Sequence, residues 1–283
     1  MQYRLLEHTT RKFSKQFLKN IYVLSNSGHE HCYGCVPNGE IGISIVVTGQ
    51  SYVNLGGEWI PQSKANVYGL IDKIQFHKMS AGYREINIGF DPQYLQLFLR
   101  DSMSSLLKRQ ATELSDLFGE PSVDQLYKGL SFAECDDEIL DIVELFLEQH
   151  LIEESVDPRI LRAYDLICHE GVWNIEQVSQ MVNVSSATLR NLFRDKVGIT
   201  PKDLVKITRL KYALHTREHT DESLTSLAYK LNYYDQSHFI HEFKQAIGLT
   251  PKQYFENERL TFDFYNFQRW SLDSFTGLTH SLQ

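Results

Sequence analysis

Two groups of residues in this chain are of types that could do chemistry. The first lies between Gly28 and Cys35, where His29, His31, Cys32 and Cys35 stand at short spacing. Histidine and cysteine can bind zinc, and Cys32-x-x-Cys35 is the usual half of a tetrahedral site. A second CxxC or HxxxH half is missing, and Cys135 and Cys168 are isolated. An ordinary strand-end loop is the preferred reading, with metal binding and a thiol switch through Cys32 and Cys35 as alternatives. No cofactor is expected. The second group is Ser186, Ala187, Arg190 and Asn191, matched by Gln236, Ser237, Ile240 and His241. Arg190 can bind guanine bidentately, Gln236 can pair with adenine, and Ala187 can offer an apolar contact to a thymine methyl. Arg194, Lys196, Lys202, Lys244 and Lys252 are candidates for phosphate contacts. A phosphate-cradling glycine loop, a nucleophile elbow and HExxH are all absent, so an enzyme is not expected.

The elements that must position the second group are repeated. Phe193, Gly198, Thr200, Pro201 and Lys202 recur as Phe243, Gly248, Thr250, Pro251 and Lys252, an offset of 50 residues. Two helix-turn-helix units in one chain point to a DNA reader. Ser185 and Asp235 are expected N-caps of the two recognition helices, and Asn174 with Gln177 caps an earlier helix. Thr200 and Thr250 precede proline at the first helical position, and Asp203 and Gln253 can complete capping boxes. Gly198 and Gly248 can end helices in the left-handed conformation. Leu189, Leu192 and Phe193, and likewise Phe239 and Phe243, form apolar stripes that must face inward. Function is left to the opposite faces.

The pattern SxxxLxxxFxxxxGxTPxxY, preceded by a helix ending near Leu231, Asn232 and Tyr233, resembles the AraC-type transcription regulators. The resemblance covers about residues 158–257. It implies two helix-turn-helix units joined by a long helix, here about Pro201 to Thr216, whose Leu204, Ile207, Leu210 and Leu214 are buried. Arg209 to Ala213 fits the family's R-x-x-x-A connection there. Asn191 and His241 fall where the family often has polar residues that contact bases or phosphates. The N-terminal part of such regulators is often a cupin-like effector barrel. A cupin metal site would also need a glutamate four or five residues after an HxH pair, whereas Glu40 follows His31 by nine.

At 283 residues, with 42% hydrophobic and 23% charged residues, the chain is long enough for two globular domains. The fold class expected is α+β. A β-rich, cupin-like barrel with following helices occupies 1–152, a linker 153–157, and an all-α double helix-turn-helix domain 158–257. An aromatic-rich extension fills 258–283. The net charge of −8 is unevenly spread: residues 158–257 hold 13 basic and 11 acidic residues, leaving −10 elsewhere. A weakly basic reader joined to an acidic partner domain fits this asymmetry. No run of about 18 apolar residues suggests a membrane span. The N-terminus lacks a signal-peptide core and four cysteines form no framework, so a reducing cytoplasm is expected. The partners expected are double-stranded DNA, a small-molecule effector, RNA polymerase if the protein activates, and a second copy of the chain. A metal- or thiol-responsive regulator, and a cupin-like enzyme fused to a reader, are the alternatives.

Within the N-terminal part, Ile41–Thr48, Ser51–Leu55 and Tyr83–Phe90 read as strands separated by turn formers. Helices are expected from Tyr94, near Leu106 and Leu107, from Thr112 to Phe118, and from Asp137 to Leu151. In the last of these Ile139, Leu140, Val143, Phe146 and Leu147 share one face. Packing against the parent domain is preferred for that face over a dimer interface. Phe262, Phe264, Tyr265, Phe267, Trp270 and Phe275 in the extension are expected to pack on the parent domain or to dock elsewhere.

Overall fold

The computed structural model describes residues 2–6, 12–99, 103, 112–152, 155–220 and 222–256. Part of the linker, Leu106 and Leu107, and the aromatic extension lie outside the described residues. Among the described residues ten strands come first: β1 (Gln2–Leu6), β2 (Leu18–Asn26), β3 (His31–Cys35), β4 (Ile41–Thr48), β5 (Ser51–Leu55), β6 (Glu58–Pro61), β7 (Ala65–Tyr68), β8 (Gln75–Met79), β9 (Tyr83–Phe90) and the short β10 (Thr112–Glu113). A short helix α1 (Lys12–Phe17) precedes β2. They form a six-stranded sheet in the order β1-β2-β9-β4-β7-β10 and a four-stranded sheet in the order β3-β8-β5-β6. The domain is thus two open sheets and not a closed barrel. The chain passes from one sheet to the other between β4 and β5, just past a register irregularity between Val46 and Thr48. Such a bulge bends a strand and lets the chain turn a corner into the second sheet.

The period of two along each strand explains both faces of the large sheet. On one face Ile21, Val23, Ile41, Ile43, Ile45, Ile86, Ile88 and Phe90 are buried in the main core. That face is covered by helices α2 (Leu114–Phe118) and α3 (Glu120–Phe132), and α4 (Asp136–His150) packs against α3. The Tyr127 hydroxyl of α3 donates to the Val47 carbonyl at 3.1 Å. The other face carries Tyr22, Ser44, Asn66, Tyr68, Glu85 and Asn87, which line a cavity between the sheets. Gly42 belongs to this geometry. A Cβ there would meet the Ile88 carbonyl oxygen at 2.3 Å and the Tyr68 hydroxyl at 2.6 Å, so only glycine leaves room for that tyrosine.

Ile139, Leu140, Val143, Phe146 and Leu147 of α4 are all buried within their own domain. Phe146 of that stripe packs edge-on against Phe118 of α2, with ring centroids 5.1 Å apart, while Leu145 is left exposed. The stretch from Tyr94 is a single 3-10 turn, Leu95–Phe98, and Thr112–Glu113 pairs with β7 before α2 begins. α3 was not expected from periodicity: Gly129 interrupts it, and its buried set is limited to Val123, Leu126 and Leu130. Cys32 and Cys35 sit three apart on extended β3. At ~3.3 Å per residue their Cα atoms are roughly 10 Å apart, beyond the ~7 Å a disulfide spans. A thiol switch closing these two cysteines on each other is therefore ruled out in this fold. Among the described residues no three His, Cys, Asp or Glu side chains are grouped to hold a metal, and no helix is long and apolar enough to cross a membrane.

His77 on β8 stacks on Tyr33, with ring centroids 5.5 Å apart. Burial lowers its pKa to about 4, so folding keeps it neutral while the unfolded chain protonates it near pH 6.5. Between those values the unfolded state binds the extra proton, so stability is full above about pH 6.5 and is lost as pH falls toward 4. Replacing His77 by Gln should remove about 1–3 kcal/mol of the pH dependence of stability between pH 7 and 4.5. Urea unfolding of both proteins across that range measures it.

Candidate nucleic-acid interface

Among the described residues, six of the seven C-terminal helices build the two units and their link. They follow α5 (Pro158–Cys168) and comprise α6 (Ile175–Met181), α7 (Ser186–Lys196), the linking helix α8 (Pro201–His219), α9 (Leu224–Lys230), α10 (Gln236–Ile247) and α11 (Pro251–Phe255). The caps act as their residue types require. Asn174 accepts from the Gln177 amide, Ser185 from Thr188, and Asp235 from His238. Thr250 and Gln253 form the full reciprocal capping box. At Thr200 only half of it forms: the hydroxyl accepts from the Asp203 amide at 3.2 Å and donates to the Asp203 carboxylate at 2.5 Å. The shorter aspartate is engaged by the hydroxyl instead of the cap's own amide. Gly198 (φ 91°) and Gly248 (φ 81°) take the positive-φ conformation expected of them. Asn183 and Asn232 take it too, at 57° and 55°, in the turns inside each unit.

On α7, Leu189 and Phe193 are fully buried, while Ala187, Arg190, Asn191 and Arg194 are exposed. Their spacing of three, four and seven places these four on one face. Ser186 is exposed, but its hydroxyl shares a 2.9 Å hydrogen bond with Ser179 of α6, tying the recognition helix to its support. On α10, Phe239, Phe243 and Ile247 are buried and Ser237, His241 and Lys244 are exposed. The structure modifies the expectation for this second helix. Gln236 is half-buried and its side-chain oxygen accepts from Thr225 at 2.8 Å, which occupies one of the two groups a bidentate adenine contact uses. Ile240 packs against the core. His241 lines the groove toward Lys202 of α8 and Trp173, and bonds Gln245 at 2.9 Å. Lys202 and Lys252 are exposed in the first turns of their helices, Lys252 4.0 Å from Glu256. Lys196 is half-buried in the last turn of α7, 4.0 Å from Asp195, at the opposite end from the capped N-terminus. Glu242 points inward, where it accepts from the Tyr233 hydroxyl at 2.5 Å. Burial and this carboxylate push the Tyr233 phenol well up.

The two units are not in perfect register. Leu224 follows Ile175 by 49 residues, but Gln236 follows Ser186 by 50. The second turn therefore holds one more residue, at Tyr234, whose side chain is 90% exposed immediately before the cap of α10. Sequence reasoning passed over it because a single offset was applied to the whole repeat. Arg209 was also underread. Its guanidinium lies over Trp173 of the first unit at 5.4 Å and over Tyr233 of the second at 4.8 Å. It donates to the Asn232 carbonyl at 3.3 Å, and its buried Nε has no hydrogen-bond partner. Stacked rings more than hydrogen bonds thus hold it, and it clamps the two units together.

The β-domain meets the second unit directly. The Ile74 amide donates to the Ala246 carbonyl of α10 at 2.7 Å. Pro37, Asp72 and Lys73 share an interface cavity with Ile207, Leu210, Phe239 and Glu242. Asn38, Glu40, Gly69 and Ile71, from the same two loops, line the cavity between the sheets. Each loop thus contributes residues both to that cavity and to the interface with the second unit.

A linking helix with a helix-turn-helix unit at each end defines a double helix-turn-helix DNA-binding domain. Residues 178–257 match a family described as a helix-turn-helix domain. An uncharacterized HTH-type transcriptional regulator of Haemophilus influenzae is 25% identical over 173 residues, 58% of this chain and 55% of the relative. The HTH-type transcriptional activator RhaS of an Enterobacter species is 30% identical over 120 residues, 40% of this chain and 42% of RhaS. The chain spans about half the length of these curated relatives. Among solved structures, ToxT of Vibrio cholerae aligns over 85% of this chain and 98% of its own, at 11% identity and a TM-score of 0.44. Residues 178–257 of this chain are thus a helix-turn-helix domain, similar to those of these HTH-type transcriptional regulators.

Replacing Arg209 by Ala should cost about 1–3 kcal/mol of stability, and Lys should restore only part of it because an ammonium lacks the planar stacking face. Denaturant unfolding of wild type, Arg209→Ala and Arg209→Lys checks the order.

Proposed function

We propose that this chain is a sequence-specific DNA-binding transcription regulator, active in the cytoplasm and without catalytic activity of its own. Its two recognition helices enter successive major grooves about one helical turn, or ~34 Å, apart. The observation that carries this is the exposed face of α7, on which Ala187, Arg190, Asn191 and Arg194 stand in line behind a capped N-terminus. Arg190 is the leading base reader. Gln236 reads through its free amide nitrogen, or through both groups once Thr225 releases it. Ser186, Ala187, Asn191, Ser237 and His241 complete the readout, with Ile240 held to an apolar role. Arg194, Lys202, Lys244 and Lys252 contact phosphates, with Lys196 the weakest of the set by its position. Tyr234 joins them as a backbone contact. A domain of net +2 needs several such contacts, so binding should weaken steeply with salt.

The N-terminal domain acts as a sensor. The loops that share the inter-sheet cavity and the face of α10 support this, because a ligand preferring one loop arrangement would shift the population competent to bind DNA. Pairing of two chains, and contact with RNA polymerase on activation, belong to the same proposal.

Selection of bound sequences from a random DNA pool with the full-length protein tests the reading. Two short boxes about one turn apart are expected. Arg190→Ala and Gln236→Ala should each relax preference in a different box, at a cost of about 1–3 kcal/mol per lost contact. Lys244→Ala should weaken binding to all sequences alike and flatten the salt dependence. Recovery of no motif, either from the full chain or from residues 158–257, would overturn the proposal.

A further inference from the structure

The cavity between the two sheets has a volume of about 150 Å³, the size that in another protein accommodates benzene. Tyr22, Tyr33, Tyr68 and Tyr83 line it, together with two carboxylates, Glu40 and Glu85. Among its described lining residues there is no lysine or arginine. His77, which also lines it, is kept neutral by burial.

The two carboxylates differ. Glu40 accepts from Asn20 at 3.0 Å and lies near Lys211 of the linking helix, whose ammonium is disfavoured by burial and by Lys19 and partly restored by Glu40. Glu85 is 7% exposed, and the hydrogen bonds it receives come from neutral groups: the Ser44 hydroxyl at 2.6 Å, the Tyr83 hydroxyl at 2.9 Å and the Asn87 amide at 3.4 Å. Asn87 is itself fixed by the Tyr68 hydroxyl at 2.6 Å. The carboxylate is thus oriented but its charge is not balanced, and a buried charge is costly until a counter-charge reaches it. Burial, with Tyr68, Glu40 and Glu85 nearby, pushes the Tyr22 phenol well up, in keeping with a negative field in the cavity.

We propose that this cavity takes a compact organic cation, an ammonium or guanidinium no bulkier than a single substituted ring, with its charged head on Glu85 and its body against the tyrosine faces. An anion would be repelled by both carboxylates, and a neutral alcohol would leave Glu85 unbalanced. Aromatic faces around a cation add attraction of their own. This names the ligand class for the sensor role proposed above and rests on that reading.

The test is calorimetric titration of full-length protein with butylamine, benzylamine and methylguanidine, beside butanol, benzyl alcohol, butyrate and benzoate. At least one cation should bind saturably at millimolar concentration or tighter, and at least tenfold better than its neutral and anionic counterparts. Glu85→Gln keeps the side chain's size and a carbonyl acceptor, and should lose roughly ten- to a hundredfold of that affinity. Thermal melting and selection of DNA sequences on the same preparations report whether the variant is folded and whether the reader works. A neutral or anionic probe binding as well as the cations, unchanged cation affinity in folded Glu85→Gln, or no saturable cation binding would each overturn the inference. DNA selection that succeeds alongside such a result leaves the regulator standing; failure of that selection bears on the regulator alone.

Discussion

The C-terminal half depends on one side chain standing between two rings. Arg209 projects from the middle of the linking helix, and its guanidinium lies over the rings of both Trp173 and Tyr233. Trp173 leads into the first helix of the first unit, and Tyr233 leads into the recognition helix of the second. Each unit presents a short recognition helix, and a helix that short has little stability alone. What makes two such helices a single reader is the constancy of the angle and spacing between them. A guanidinium suits this position because it can stack on both faces while donating in its own plane. The bond from Tyr233 to Glu242 extends the clamp into α10 itself.

The same constraint connects the reader to the β-domain. Glu242, Phe239 and Ala246 of α10 border the interface reached by Pro37, Asp72 and Ile74. Other residues of those loops border a cavity whose polar lining is unusual for a sheet interior. A sheet buried on both faces generally reads as a continuous apolar run. Here one face of the large sheet is isoleucine-rich and faces the helices, while the other carries serine, asparagine, glutamate and tyrosine. Polar residues held in such a place cost stability unless they are satisfied or used. Much of the lining is satisfied internally, and Glu85 accepts its hydrogen bonds from the neutral groups of Ser44, Tyr83 and Asn87.

Sequence alone determined whatever depends on neighbours along the chain. Caps need only a side-chain oxygen three residues before an amide, and Ser185, Asp235, Asn174 and Thr250 all serve as their types dictate. Gly198 and Gly248 had to end helices because a left-handed residue belongs there. The alternation of Ile41, Ile43 and Ile45 marked a strand, and the spacing of Leu189 and Phe193 marked a buried helical face. The double helix-turn-helix plan was legible for these local reasons.

Only the tertiary structure decided what depends on residues far apart in sequence. Neither the opening of the barrel into two sheets nor the helix Glu120–Phe132 was legible, because strand closure and marginal helices are settled by packing partners. Arg209 reads as an ordinary basic residue until Trp173 and Tyr233, 36 residues before and 24 after it, close on it. Gln236 looked free until Thr225 was seen to hold it, and Ile240 looked available until it was found against the core. Ser44, Tyr83, Glu85 and Asn87 carry no motif at all. They become a site because alternation points them to one face, and a second sheet then closes over that face.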